Sequence, residues 1–183
     1  MRWDSLFADL EAQLEAEAVH DRAAEVQEMV RIEKSQVALA ARLVAWVGQS
    51  VDATTLGGQR FSGVLSHVGT GWITLGAAPL EYLLLTSAVR SLVADGERVA
   101  PESDLRQTKI SLRMALRAVA RDRAPVTIYA VDGSAAATGT VDYVGVDFIQ
   151  IAAHSVGEYV SNSRIVARHV LPLSGVAALQ RTV

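Results

Sequence analysis

Two stretches of this chain carry nearly the same pattern of glycine and apolar residues. "SGVLSHVGTGWITL" begins at Ser62, and "TGTVDYVGVDFIQI" begins at Thr138. Gly63 matches Gly139, and the glycines, aromatic residues and apolar positions that follow keep the same order, with gaps only in loops. Self-similarity in a fixed order predicts a tandem duplication, and this constrains the fold more than composition does.

Each predicted unit is a helix followed by five short strands. The pairs Gly57-Gly58 and Asp132-Gly133 are typical of hairpin turns between the first two strands of a unit. Gly63 and Gly139 fall inside the second strand, where a glycine commonly marks a sharp bend. A bent strand allows a short sheet to curl and close, which removes exposed edges.

With this order of elements, "VDATTLGGQRFSGVLSHVGTGWITL" and "VTIYAVDGSAAATGTVDYVGVDFIQI" resemble the first motif of the Sm-like family, which includes Hfq. The resemblance implies a helix and a bent five-stranded barrel in each unit. It does not extend to the RNA pocket of the family. The turn at Gly71 is a residue shorter than in the family, and Ile149 stands where a polar, base-contacting residue is wanted, although Asp147 is present in that turn.

The predicted fold is mainly β with helices (α+β): two tandem five-stranded Sm-like small barrels, each preceded by a helix. An acidic amphipathic helix covers residues 1–34, and its pattern leaves open whether it is one bent helix or two in series. The first helix and barrel take residues 35–98, a polar linker takes 99–107, and the second helix and barrel take 108–183.

Charge is distributed unevenly along the chain. Residues 1–34 hold nine acidic and four basic side chains, whereas residues 106–183 hold five acidic and nine basic ones, within a net charge of −3. This excludes a uniformly basic nucleic-acid-binding protein and allows a basic patch in the last part.

A basic stripe follows the second predicted helix at spacings of three or four residues, which place its members on one face. The stripe consists of Arg106, Lys109, Arg113, Arg117 and Arg121, and Arg164 and Arg168 are candidates to extend it. One interpretation is a patch that contacts RNA phosphates. The other is a solvated face, or one that the acidic front helix neutralises. The loop at 154–168, found only in the second copy, is either a binding loop or a simple insertion.

The front helix carries a large apolar stripe formed by Trp3, Leu6, Phe7, Leu10 and Leu14. The stripe either packs against the chain's own barrels or forms a docking surface for a partner or a second copy.

Nothing in the sequence assembles a catalytic site. Cysteine is absent, the four histidines are scattered, and no phosphate loop, nucleophile elbow or dinucleotide motif occurs. We therefore expect no enzyme activity, no cofactor, no metal and no small-molecule substrate. No run of some 18 apolar residues is present, so no membrane span is expected, and the acidic start does not match a secretory signal. The expected location is the cytoplasm.

These observations predict a non-enzymatic binding or adaptor module on tandem Sm-like barrels, with RNA as a candidate partner. The alternative is a structural assembly factor that oligomerises, or docks to another protein, through the front helix and the barrel edges.

Overall fold

The computed structural model describes residues 22, 25–32, 34–96, 99–101, 104, 109–154 and 165–182. Backbone contacts divide the chain into two compact units, Met1–Ala38 and Leu39–Val183. In the first unit, residues 25–32 and 34–35 are helical and form α1. Most of the acidic helix predicted over residues 1–34 lies outside the described residues. Whether it is one helix or two therefore stays open.

Among the described residues of the second unit, two helices, ten strands and two 3-10 turns of three residues are defined, and the strands make up more than half of these residues. The helices are α2 (Leu39–Ala45) and α3 (Leu112–Asp122). The 3-10 turns are Thr86–Ala88 and Leu173–Gly175. The strands are β1 (Ser50–Thr55), β2 (Arg60–Gly69), β3 (Trp72–Ala77), β4 (Leu80–Leu85), β5 (Val89–Ala94), β6 (Pro125–Ala130), β7 (Ala135–Val144), β8 (Phe148–His154), β9 (Ile165–Pro172) and β10 (Val176–Thr182).

All ten strands belong to one open antiparallel sheet, in the order β5-β1-β2-β3-β4-β10-β6-β7-β8-β9. The prediction of two tandem five-stranded Sm-like small barrels is therefore wrong. The short strands and turns lie where the sequence pattern places them, but they do not close into two separate barrels. The difference arises because β10 pairs with both β4 and β6, which joins the two runs of strands into one continuous sheet.

The glycines inside β2 and β7 lie against the backbone of the next strand. A Cβ added at Gly63 would lie 2.6 Å from the carbonyl oxygen of Gly76 on β3. A Cβ added at Gly139 would lie well inside contact distance of the carbonyl oxygen of Ala152 on β8, and 2.8 Å from its carbon. Both strands also shift register two or three residues further along, as β-bulges do. Glycine at these positions therefore permits a close approach between neighbouring strands.

Two hydrophobic clusters share the central strands of the sheet. Leu83 and Leu85 of β4 belong to one cluster, together with the inward side chains of β6, β7 and β8. Leu84 belongs to the other, together with β1, β2 and β3. Because successive side chains of a strand point to opposite faces, β4 is buried on both faces. This double burial explains why the sequence of β4 is almost continuously apolar instead of alternating.

Helix α3 covers the cluster of the second run of strands. Its amide at Met114 donates to the side chain of Ser111, which caps the helix, and Arg123 ends it with a φ of 55°. Leu116 is fully buried against the sheet. The predicted amphipathic helix at this place is therefore present, with its apolar face on the core.

The β6–β7 turn is fixed by an aspartate. Asp132 Oδ1 accepts hydrogen bonds from the amide of Ser134 at 2.8 Å and from its hydroxyl at 2.7 Å. Both bonds stabilise the charged carboxylate, and they hold the pKa of Asp132 below its usual value of 3.8. Both hydrogen bonds from Ser134 to the Asp132 carboxylate are therefore present at neutral pH.

Replacing Gly139 with alanine should destabilise the fold by about 1–3 kcal/mol, because the new methyl group overlaps the β8 backbone. Urea unfolding followed by circular dichroism measures the change. Gly76→Ala is the matched control, since its Cβ would meet only the Val64 carbonyl oxygen at 3.9 Å. Equal midpoints for the two variants would show that the close approach at Gly139 does not exist.

Candidate functional site

Helix α3 carries a basic face with no ion-pair partner among the described residues. Arg113, Arg117 and Arg121 are spaced by four residues, so they lie along one side of the helix over about 12 Å. Arg117 and Arg121 are exposed, and Arg113 is half-buried, with an Nε that has no hydrogen-bond partner. None of the three forms an ion pair with any residue that the structure describes. The structure thus places these three predicted residues together, in a position to contact an anion.

The other predicted cations do not all join this face. Lys109 is exposed and precedes the helix. Arg168 lies on β9, where its Nε is 3.6 Å from Asp142 Oδ2, so its charge is partly compensated. Arg106 and Arg164 lie outside the described residues.

The predicted docking stripe of the front helix also lies outside the described residues; it comprises Trp3, Leu6, Phe7, Leu10 and Leu14. In the described part of the first unit, helix α1 exposes Val26, Met29, Val30 and Ile32. The structure therefore leaves the role of the front helix as a prediction.

A groove of about 510 Å³ runs along the other side of α3, between the helix and the sheet. Met114, Ala118 and Asp122 form the helical wall, and they are each one position after an arginine of the basic face. The floor is mostly apolar and includes Trp72 and Leu83. At the mouth, Met114 is 58% exposed. The groove therefore has an apolar surface, partly exposed to water, that an additional molecule could cover.

An ion triad closes one end of the groove. Arg181 on β10 donates from Nε to Glu81 Oε2 at 2.8 Å and from Nη1 to Asp122 Oδ2 at 2.8 Å. The triad joins β4, β10 and α3. Sequence reasoning missed it because Glu81 and Arg181 are 100 residues apart, so no local spacing reveals the pair.

Two strands of the sheet have a single neighbour among the described residues. β5 pairs with β1, and β9 pairs with β8, so one side of each strand keeps free backbone donors and acceptors. Both edges expose apolar side chains: Val93 on β5 is 64% exposed and Val170 on β9 is 58% exposed. The free side of each of these two strands is therefore a surface suited to pairing with another strand.

No metal-binding or catalytic cluster emerges from the part of the chain that is described. Within it, no three His, Asp or Glu side chains are grouped as metal ligands would be. His67 Nδ1 lies 3.2 Å from Thr74 Oγ1, a contact between two neighbouring strands. Among the helices that the described residues form, none has the length and apolar character needed to cross a membrane.

No protein-family model matches this chain, and no curated protein matches its sequence.

Proposed function

We propose that this chain is a non-catalytic assembly module whose copies join by pairing β9 of one copy with β5 of the next. The observation that carries the proposal is the β4–β10 junction. Within the chain, this junction already joins two runs of strands, edge to edge, through antiparallel pairing. The free strands β9 and β5 offer the same type of junction between copies.

The free edges have the same local surroundings as the two strands of the junction. β4 and β9 each end directly before a 3-10 turn, and β5 and β10 each begin directly after one. β4 and β9 are also each the partner of the strand that precedes them in the sheet, β3 and β8. A β9 strand placed against β5 as β4 lies against β10 therefore needs no change in the turns.

This placement defines the pairs that would form. In the junction, Leu83 opposes Leu179. At the same distances from the 3-10 turns, Val170 of one copy would oppose Leu92 of the next, which joins an exposed valine to a half-buried leucine. Two residues further along, on the same face, Arg168 would oppose Ala94. The edges are thus complementary in apolar surface.

Joining β9 to β5 is a head-to-tail contact, because the two surfaces differ. Contacts of this kind produce rings when the rotation between copies closes, and open filaments when it does not. In both cases all backbone groups of the two edge strands find partners, which removes the exposed edges described above.

Val170→Lys should convert the assembly into a species of about the monomer mass of 19.5 kDa, because a charge would replace the apolar contact at the centre of the new strand pair. Light scattering coupled to size-exclusion chromatography measures the mass. Val146→Lys is the control, since Val146 is 74% exposed in the β7–β8 turn, away from both edges. A wild-type chain that is monomeric at high micromolar concentration would exclude the proposal.

A second candidate function is contact with RNA phosphates through α3. The observation that favours it is the basic face of Arg113, Arg117 and Arg121, which has no acidic partner among the described residues. Arg123 follows immediately and is exposed. Surface arginines without interleaved aromatic side chains would supply affinity for the backbone and little sequence selectivity.

Arg117→Glu combined with Arg121→Glu should reduce binding of a single-stranded RNA at least about tenfold at low salt, because each change reverses a phosphate contact. Fluorescence anisotropy at several salt concentrations measures it. The wild type should show a slope of log K against log salt of about −2 for three contacts. Arg60→Glu on β2 changes the net charge as much as Arg117→Glu alone does, so comparing these two single variants controls for net charge. Equal losses of affinity for Arg60→Glu and Arg117→Glu would show that the basic face of α3 does not bind the RNA.

A further inference from the structure

We propose that the groove between α3 and the sheet binds a small organic cation with an apolar body, such as an arylalkylamine. This binding site is independent of the strand edges and of the basic face, and it goes beyond the proposed assembly function.

The volume and the walls of the groove suit a small molecule. A cavity of about 510 Å³ lies within the range of small-molecule sites, which are mostly apolar and carry a few polar groups. Trp72, Leu83 and Val119 supply apolar contacts inside. At the mouth, Met114 is 58% exposed and Ile110 is 45% exposed, so a ligand would remove apolar surface from water.

The groove is largely formed before any ligand arrives. Its floor is the paired backbone of β3, β4 and β10. The carbonyl oxygen of Ile110 accepts from the Trp72 Nε1 at 2.9 Å and from the Thr70 amide at 2.9 Å. These bonds tie the segment before α3 to the sheet, so the wall and the floor keep their spacing and little ordering cost opposes binding.

The polar end of the groove selects the charge of the ligand. Two carboxylates, Glu81 and Asp122, face one guanidinium, Arg181, so the triad carries a net charge of −1 when all three are ionised. Arg181 uses Glu81 Oε2 and Asp122 Oδ2. The second oxygen of each carboxylate, Glu81 Oε1 and Asp122 Oδ1, can accept hydrogen bonds from an ammonium group. A carboxylate head would be repelled by the same two groups.

The test compares three probes that share a phenyl ring on four methylene groups and differ in charge: 4-phenylbutylammonium, 4-phenylbutanol and 5-phenylpentanoate. Isothermal titration calorimetry on the full chain gives their affinities. We expect the ammonium compound to bind about fivefold more tightly than the carboxylate at low salt, the size that a partly exposed ion pair supports. The alcohol should lie between them. Equal or tighter binding of 5-phenylpentanoate, or no binding of 4-phenylbutylammonium, would overturn the proposal.

Two variants locate the site. Ala118→Trp places a large side chain into the groove from an exposed helix position and should abolish binding of all three probes, with the circular dichroism spectrum unchanged. Asp122→Asn should keep the alcohol's affinity and reduce the preference for the ammonium compound to about twofold or less. Val146→Trp, on an exposed turn outside the groove, is the control and should bind as the wild type does. Wild-type binding by Ala118→Trp, or an unchanged charge preference in Asp122→Asn, would contradict the site.

Discussion

The pairing of β4 with β10 is the interaction on which the rest of the structure depends. This pairing joins the two runs of strands into one sheet, with β4 and β10 as neighbours at its centre. Leu84 faces one hydrophobic cluster, while Leu83 and Leu85 face the other, so β4 contributes to both cores at once. Since burying a leucine side chain stabilises a fold by about 1.5–3 kcal/mol, loss of this junction would expose apolar surface on both faces together.

The sequence predicts the local elements of the fold, but it does not predict how the two runs of strands join. Alternating apolar residues and paired turn glycines locate most strands, and four-residue spacing predicts that Arg113, Arg117 and Arg121 share a helix face. The choice between two barrels and one sheet depends on which strand β10 meets. That choice is made by contacts such as Glu81–Arg181, which are 100 residues apart and leave no periodic trace. The groove arises from the same long-range contacts, so it was equally invisible in the sequence.

Helix α3 separates two chemically different surfaces. Successive helical positions are about 100° apart, so each arginine of the basic face is followed by a residue of the groove wall: Met114 after Arg113, and Asp122 after Arg121. The sheet beneath supports both. A single short helix therefore presents cations on one side and an apolar surface with acids on the other, while the edges β5 and β9 remain at the far ends of the sheet.

The position of β10 has a consequence for how the chain reaches this structure. β10 is the last described strand along the sequence, yet it lies in the middle of the sheet between β4 and β6. During synthesis on the ribosome, β4 can pair with β3 on one side, but its other side has no partner until β10 has emerged. Non-local pairing of this kind slows folding and leaves an unpaired apolar strand open to wrong partners. We therefore expect the insertion of β10 to be the last pairing step of folding, with one side of β4 open until it occurs.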